Sequence, residues 1–566
     1  MKVLGLNFSN DAAASMVVDG KTIFAVQEER YSRKKHDASF PQKSLEAALK
    51  AGGISFEGLE TVAFFWNPGI HASSPSWRNS SVPRHHMEFL YDVPNNLLPG
   101  IGKPELTEQV FHLAGGKKLR IVYVTHHLAH AAGALFTSPF EKAAILTVDG
   151  YGERDSTVIW QAEGTSFKRL WTQEFPHSLG SYYAAITQYL GFSPNSGEGK
   201  LMGLASYGEP IYANEFRKML KLTSDGFELD LSYFNFYIER PQRYSDKMVA
   251  LLGEPRMPES TITKRHEDLA ASMQAVFEEA IIHLAKKAKA LTGLDTFCMS
   301  GGVTLNCSAN GKLLQTGLFD NYYFQPASSD AGAGLGAALY VTHTLEGVPR
   351  GKPELLLEYL GPCHGNAQIK DTLEKGGISY LTPDDPYGIA GALLAKGFIG
   401  SVYQGKAEFG PRALGNRSTL ADPRAAEMKD RVNARVKFRE GFRPFAPSVM
   451  AEHAVEYFGP GADFSPFMLR VFPTRPNKLD EAAAVTHVDG GARVQSVTQK
   501  DNPNYYHLID SFRRETGTPL VLNTSFNIRG EPIVNSPADA VKCYLTTDMD
   551  FLVLGDYLLV KDSGIL

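Results

Sequence analysis

The sequence predicts an α/β protein of at least two domains, the first built from two related halves. Three observations carry this. At 566 residues the chain is longer than one hydrophobic core supports. Its first half contains two similar openings, each an apolar strand, a polar turn and a returning strand. Beyond about residue 375 the chain changes character: Arg412, Arg417, Arg424, Arg431, Arg435, Lys437, Arg439 and Arg443 crowd together among loop residues.

In the first opening, Val3 to Asn7 leads to a polar turn at Ser9-Asn10-Asp11. Ala13 to Val18, Asp19-Gly20-Lys21 and Thr22 to Val26 then read as a hairpin. In the second, Ala144 to Val148 enters Asp149-Gly150-Tyr151-Gly152-Glu153, and Ser156 to Trp160 returns. Such a duplication suggests the actin-like ATPase architecture, in which two halves clamp a nucleotide. Between them, residues 66–115 carry Trp66, His71, Trp77, Arg78, Arg84, His85, His86 and Tyr91, an aromatic insertion that reads either as the wall of a ligand pocket or as a packed surface excursion.

Glu267 to Leu291 has Leu269, Met273, Val276, Phe277, Ala280, Ile281 and Leu284 at helical spacing and predicts a long packing helix. The strand Thr296 to Met299 then meets Ser300-Gly301-Gly302-Val303, with a helix from Leu305 or Asn306. The strand Tyr322 to Phe324 precedes a second expected glycine-rich turn, Ser328 to Gly336. Glycine turns between strand and helix let backbone approach a ligand closely. Gly347, Pro349, Gly351, Pro353, Gly361, Pro362 and Gly365 mark a boundary near 345–375, giving domains 1–355 and 370–566. No long Ser/Gly or charged tether lies there, so the domains are expected to pack tightly.

His126 and His130 are four apart and share a helix face, so both imidazoles can address one ion. Asp149 closes an apolar strand, where open α/β sheets bind ligands. Two imidazoles and a carboxylate suit a divalent metal with open coordination positions. Cys298, Cys307, Cys363 and Cys543 show no ligand or disulfide spacing, which fits a reducing cytosol. A net charge of −5 offers no footprint for bulk nucleic acid, no apolar run is long enough for a bilayer, and Met1 to Leu6 lacks a signal-peptide layout. Arginine forks held on loops suit a phosphate or carboxylate, and Leu520 to Asn527 reads as a strand forming a second wall of that pocket.

These motifs resemble the NodU/CmcH family of O-carbamoyltransferases, which includes enzymes of the nebramycin 5′-synthase type. The likeness rests on Glu28-Glu29-Arg30 with Lys34-Lys35-His36-Asp37 and Phe40-Pro41, His126-His127-Leu128-Ala129-His130, and Gly199 to Ala205. It continues through Ser300-Gly301-Gly302-Val303, Glu408 to Arg417, and Asn523-Thr524-Ser525-Phe526-Asn527. The resemblance implies an actin-like (ASKHA) ATPase domain followed by a YrdC-like α/β domain. It also implies that carbamoyl phosphate and ATP form carbamoyl-adenylate, whose carbamoyl group passes to a hydroxyl of a small-molecule, natural-product acceptor, as in antibiotic biosynthesis. The implied metal ligands are His126, His130, Asp149 and Asp330, with iron(II) the family's usual ion; manganese and zinc suit the same donors. Gly150, Lys200, Gly301, Gly302, Val303 and Asn306 would serve the nucleotide. Arg412, Lys437, Arg439, Arg443, Asn523 and Ser525 would hold carbamoyl phosphate, with Lys437-Phe438-Arg439 matching a YrdC-type K-x-R element. Lys35 would reach the carbamoyl or phosphate group. The implied protein is cytoplasmic, with room for a homodimer.

One departure matters. Many members carry histidine before Asp-Ala in the first turn, where this chain has Asn10-Asp11-Ala12. Asparagine donates a hydrogen bond but cannot act as a general base. Either another group deprotonates the acceptor, or Asn10 only polarises the carbamoyl oxygen, with Asp11 a substitute candidate. Two other enzyme readings stand beside this one: a small-molecule kinase of the same architecture, and a tRNA-modifying enzyme that makes threonylcarbamoyl-adenylate. A non-catalytic sensor is a third class.

Overall fold

The computed structural model describes residues 1–9, 11–67, 106–238 and 242–566. They fall into two compact units, Met1–Glu28 with His36–Leu356, and Glu29–Lys35 with Leu357–Leu566.

The first unit contains two sheets of the same plan. β1 (Lys2–Asn7), β2 (Ala13–Val18), β3 (Lys21–Gln27), β4 (Thr61–Phe64), β5 (Leu106–His112) and β6 (Lys118–Val124) lie in the order β3-β2-β1-β4-β6-β5. β7 (Lys142–Val148), β8 (Asp155–Glu163) and β9 (Ser166–Glu174) open the second half. After a separate hairpin of β10 (Leu220–Thr223) and β11 (Gly226–Leu229), β12 (Thr296–Ser300) and β13 (Asn321–Phe324) complete it as β13-β12-β7-β8-β9. In each half an antiparallel meander is extended by parallel strands: β4 joins β1, and β12 joins β7. This duplicated order bears out the two related halves that the sequence predicts. β1 and β7 are almost continuously buried, as strands covered on both faces must be. The long helix spans Lys264–Thr292, and its capping box is Thr263 with His266.

Ser328 to Gly336 is not the turn that its glycines imply. Asp330–Tyr340 is an α-helix, and the glycines let it approach its neighbours closely. A Cβ on Gly336 would stand 2.0 Å from the Ala129 carbonyl oxygen, inside the helix His126–Phe136. One on Gly334 would stand 2.9 Å from the Leu6 carbonyl carbon of β1. Glycine content alone cannot separate a turn from a close helix contact.

The punctuated stretch before the second unit is tied to the first. Arg350 donates to the carbonyls of Phe140 (2.7 Å), Leu135 (2.7 Å) and Ser138 (2.6 Å), and Leu356 N–H donates to the Thr137 carbonyl (2.9 Å).

The second unit has an edge pair, β14 (Tyr359–Cys363) with β16 (Lys406–Glu408), and a small pair, β19 (Val471–Pro473) with β20 (Gly491–Arg493). Its main sheet contains β15 (Gly400–Tyr403), β17 (Arg417–Ala421), β18 (Ala446–Met450), β21 (Gln495–Val497), β22 (Leu520–Ser525), β23 (Phe551–Leu554) and β24 (Tyr557–Val560), ordered β21-β18-β22-β17-β15-β23-β24. Helices Pro386–Ala395 and Pro503–Thr516 bury Leu393, Leu394, Leu508 and Phe512 against Val402, Val521 and Val553. The division at 1–355 and 370–566 does not anticipate that Glu29–Lys35 leaves the first unit for the second. There Arg30 donates to the Gly410 carbonyl (2.7 Å), and Arg33 to the carbonyls of Ile533 (2.7 Å) and Pro532 (2.8 Å).

Gly336→Ala tests the close helix contact. Overpacking of this kind costs about 1–3 kcal/mol. We expect calorimetry to show a lowered Tm, with reduced divalent-metal uptake because both helices carry candidate ligands.

Candidate metal centre and basic pocket

Four side chains from three places in the first unit converge. The helix His126–Phe136 starts directly after β6. Its 3.6-residue period sets His126 and His130 on one face, with their Nε2 atoms 3.2 Å apart. Asp149, just past β7, brings Oδ2 to 3.3 Å from His126 Nε2 and 3.1 Å from His130 Nε2. Asp330 opens its helix and places Oδ1 at 3.8 and 3.9 Å from the same nitrogens. One donor atom from each of the four lies within 4.8 Å of the others. Donors about 2.0–2.2 Å from a shared ion stand roughly 3–4 Å from their neighbours, so the set fits a divalent metal.

Supporting groups fix these donors. Ser9 Oγ donates to Asp330 Oδ2 at 2.5 Å, and His130 Nδ1 lies 3.2 Å from Ser300 Oγ. Glu153 accepts from the backbone N–H groups of Asn67 (2.6 Å) and His126 (3.1 Å), closing the helix start. His127 faces away: its nitrogens meet Thr147 Oγ1 (2.9 Å) and the Asp155 carbonyl (3.0 Å).

The electrostatics follow. Burial disfavours the charged form of His126, but the hydrogen bond to Asp149 and the charge of Asp330 overcome this and raise it to about 9. Burial would raise Asp149, yet its bonds to His126 and His130 hold it well below the usual range. Burial raises Asp330 despite the opposing pull of His126, and the Asp149 charge adds to the rise. Burial lifts Glu153 to about 8 and depresses His127 to about 3, leaving that imidazole neutral.

The glycine turn after β12 adjoins this cluster. Gly301 has φ of 95°, and a Cβ there would stand 2.2 Å from the Val148 carbonyl oxygen, so only glycine fits. Gly302 lies against Asp149, a Cβ there falling 3.1 Å from Oδ1, and Val303 continues the same turn. Gly150 N–H donates to Asp149 Oδ1 at 2.6 Å. The Asn306 amide is engaged locally, accepting from Ala309 N–H (3.0 Å) and exchanging hydrogen bonds with Gln274. Lys200 lies in the helix Glu198–Ala205, 5.8 Å from the Phe192 ring centre. Asp11 carries its carboxylate to His36, while Asn10 and residues 68–105 lie outside the described residues. Of the aromatic insertion, Trp66 stands 5.6 Å from the His126 ring and 6.0 Å from Tyr151.

The second unit holds a basic pocket. Lys437 is buried, and its ammonium donates to the Ser525 carbonyl and to Asn527 Oδ1 (2.7 Å) and O (3.0 Å). Burial depresses it far below its ordinary value, and Arg439, Arg443 and Lys35 add to the fall. Arg439 is lowered by burial, Arg443 and Arg493; Arg443 by burial, Arg493 and Arg529, against the opposing pull of Glu440. Arg439 also bonds Asn433 Oδ1 (3.1 Å) and covers the Phe445 ring. Like charges pressed together this way are relieved by an anion. Asn523 precedes Ser525 by two residues on β22, and its amide donates to the Ala413 carbonyl (3.2 Å), next to Arg412. Lys35 belongs to this unit and its electrostatics, not to the metal cluster.

Four arginines of the basic run take other work. Arg417 is buried under β15 and bonds main-chain carbonyls, including Asn416 (2.9 Å); Arg424 pairs with Asp422 (2.7 Å). Arg435 pairs with Asp550 (2.7 Å), and Arg431 donates to the Gly397 carbonyl (3.1 Å). Helix Met428–Val432 and its continuation Asn433–Lys437 replace the expected loop there. Arg493 and Asn527 went unrecognised as pocket residues. Arg493 falls fifty residues beyond the run, and Asn527 stood in a quoted motif without a role.

Removing one imidazole should strip the ion. We expect His126→Ala and His130→Ala to fold but to lose bound divalent metal on elemental analysis after dialysis. Ser9→Ala, which removes the hydroxyl contacts to Asp330 and to Asn7 Oδ1, should weaken metal affinity about 10–100-fold in a chelator competition.

A family model described as Carbamoyltransferase N-terminus matches residues 2–339, and one described as Carbamoyltransferase C-terminus matches residues 391–561. An uncharacterized protein of Synechocystis is 40% identical over 99% of this chain and 97% of its own. Nodulation protein NolNO of Sinorhizobium fredii is 40% identical over 98% of this chain and 80% of its own. Nodulation protein U of Rhizobium tropici is 28% identical over 94% and 91%. On these matches the chain belongs to the carbamoyltransferase family and is an enzyme of that class.

Proposed function

We propose that this enzyme is an ATP-dependent O-carbamoyltransferase that converts carbamoyl phosphate and ATP to carbamoyl-adenylate and passes the carbamoyl group to a hydroxyl of a small-molecule acceptor. The observation that carries the reading is the pairing, in one chain, of a four-donor cation centre at strand ends with a basic pocket around Lys437, Arg439 and Arg443. The first chemistry suits a metal–nucleotide pair. The second suits a compact dianion such as carbamoyl phosphate.

Free carbamate is a poor electrophile, and an adenylate supplies a good leaving group. A divalent metal held by His126, His130, Asp149 and Asp330 supplies positive charge for phosphate oxygens and for charge developing on the transferred group. Iron(II) is the ion we assign, on donor type and family likeness. The chain's own groups do the rest. Gly150, Gly301, Gly302 and Val303 form the narrow backbone surface around Asp149, and Lys200 and Asn306 lie on adjoining elements. Lys437, Arg439, Arg443 and Arg412 bind the anion, with Asn523 and Ser525 orienting it from β22 and Lys35 adding charge. The acceptor is a natural-product alcohol, in line with nodulation proteins among the relatives.

Among the described residues no helix is long and apolar enough to cross a membrane. A kinase of the same architecture would release ADP, so the product separates the readings. We expect AMP and pyrophosphate from ATP only when carbamoyl phosphate is present. Phosphate-free ADP formation would sink the adenylate. We further expect Arg412→Ala and Arg443→Ala to lose more than 90% of carbamoyl-phosphate turnover, while calorimetric ATP affinity stays within about twofold, since these arginines stand in the other unit.

A further inference from the structure

The turn after β1 is tied to the metal cluster at one end and to an imidazole at the other. Asn7 folds it: Asn7 Oδ1 accepts from Ser9 N–H (2.8 Å) and Ser9 Oγ (3.0 Å), and Asn7 Nδ2 donates to the Asp11 carbonyl (2.7 Å). Ser9 Oγ reaches Asp330 Oδ2 at 2.5 Å. Two residues on, Asp11 Oδ1 lies 2.8 Å from His36 Nδ1. Two residues span at most about 7 Å of backbone, so Asp11 follows closely along the chain from Ser9, which bonds the cluster.

His36 is held for this arrangement. Its φ is 52°, a left-handed backbone at a non-glycine residue. The Asp37 carbonyl beside it accepts from Ala12 N–H at 2.9 Å, which fastens the backbone to the same turn. Strain kept in place by surrounding bonds gathers where a side chain's position matters. Its charge is also felt by Glu198, at the head of the helix that carries Lys200.

Most other imidazoles among the first unit's described residues are engaged elsewhere; His112, exposed at the end of β5, is not among them. His126 and His130 face the cluster, and His127 is bonded through both nitrogens. His177 accepts from Leu229 N–H, His283 meets the Thr223 carbonyl and His343 the Val348 carbonyl. Asn10, between Ser9 and Asp11, has an amide that cannot take a proton.

We propose that His36, oriented by Asp11, is the general base that deprotonates the acceptor hydroxyl. The proposal rests on the carbamoyl-transfer reading and adds a catalytic residue to it. Asp11 accepts the Nδ1–H and leaves the Nε2 lone pair basic. As the acceptor oxygen bonds to the carbamoyl carbon, its proton moves to Nε2. The bond from that carbon to the leaving phosphate oxygen breaks, and AMP departs with the electron pair. His36 then gives the proton to water. The products are a carbamate ester, AMP and one proton, with no change of oxidation state. Asp11 acts through His36 and is a positioning residue.

The test separates activation from transfer. Activation is read as carbamoyl-phosphate-dependent ATP–pyrophosphate exchange. Transfer is read by mass spectrometry with two probes: glycerol and a sugar panel as alcohols, and hydroxylamine, a nucleophile that needs no base. His36→Gln should retain metal content, exchange and hydroxylamine capture within about twofold, and lose alcohol carbamoylation by about 10²–10⁴-fold. Asp11→Asn should lower kcat for the alcohol at unchanged KM and leave hydroxylamine capture intact. Wild-type alcohol transfer by His36→Gln overturns the proposal, and so does equal loss of exchange and both transfers, which marks a structural role. A wild-type enzyme that exchanges pyrophosphate and carbamoylates hydroxylamine but no alcohol also overturns it. A wild-type enzyme without exchange instead defeats the adenylate reading, and the base falls with it.

Discussion

The near-contact of two backbones holds the first unit's chemistry in register. Helix Asp330–Tyr340 lies so close to helix His126–Phe136 and to β1 that no side chain fits at Gly334 or Gly336. That closeness fixes Asp330 against His126 and His130, and brings Ser9, just past β1, onto the Asp330 carboxylate. The remaining donor, Asp149, comes from the other sheet, and Gly301 allows β12 to pass beside Val148 without displacing it. Interiors packed to this density transmit small displacements, so a cluster built from three separate segments depends on contacts that carry no functional group.

The two units sort charge in opposite ways although the chain is nearly neutral for its size, with a net charge of −5. In the first, carboxylates and imidazoles are buried together and stabilise positive charge at one point. In the second, an ammonium and several guanidinium groups are pressed together with Glu440 as the opposing carboxylate. Burial, with mutual repulsion added to it, pushes Lys437 and Arg439 well below their solution behaviour. The stabilising part of that arrangement is the set of carbonyl and amide acceptors around Lys437, from Ser525 and Asn527, which hold the ammonium where a ligand can use it.

Much of this was legible in the sequence because it rests on periodicity. The two meanders, the helical spacing of His126 and His130, and the strand-end position of Asp149 follow from alternation and from the 3.6-residue repeat. Ser328 to Gly336 was misread because composition does not distinguish a glycine used for a turn from one used for proximity. The arginine run was overread because its members are spent within the protein: Arg417 on the neighbouring Asn416 carbonyl, Arg424 on Asp422 two residues away, and Arg435 on Asp550, far off in sequence. Arg493 was missed because three-dimensional neighbours on different strands leave no local spacing.

The excursion of Glu29–Lys35 into the second unit bears on how the chain is made. Ile533 and Pro532, whose carbonyls receive Arg33, are synthesised about 500 residues after it. The early segment therefore waits for these contacts while most of the second unit is made, and the two units cannot mature one after the other as beads on a string. Closing a loop of that length adds only slowly growing entropy, but it delays the rewarding contact until about 500 further residues have been made. A fragment beginning at Leu357 would lack the helix that fills this seat, and a fragment ending at Leu356 would carry it with nowhere to dock.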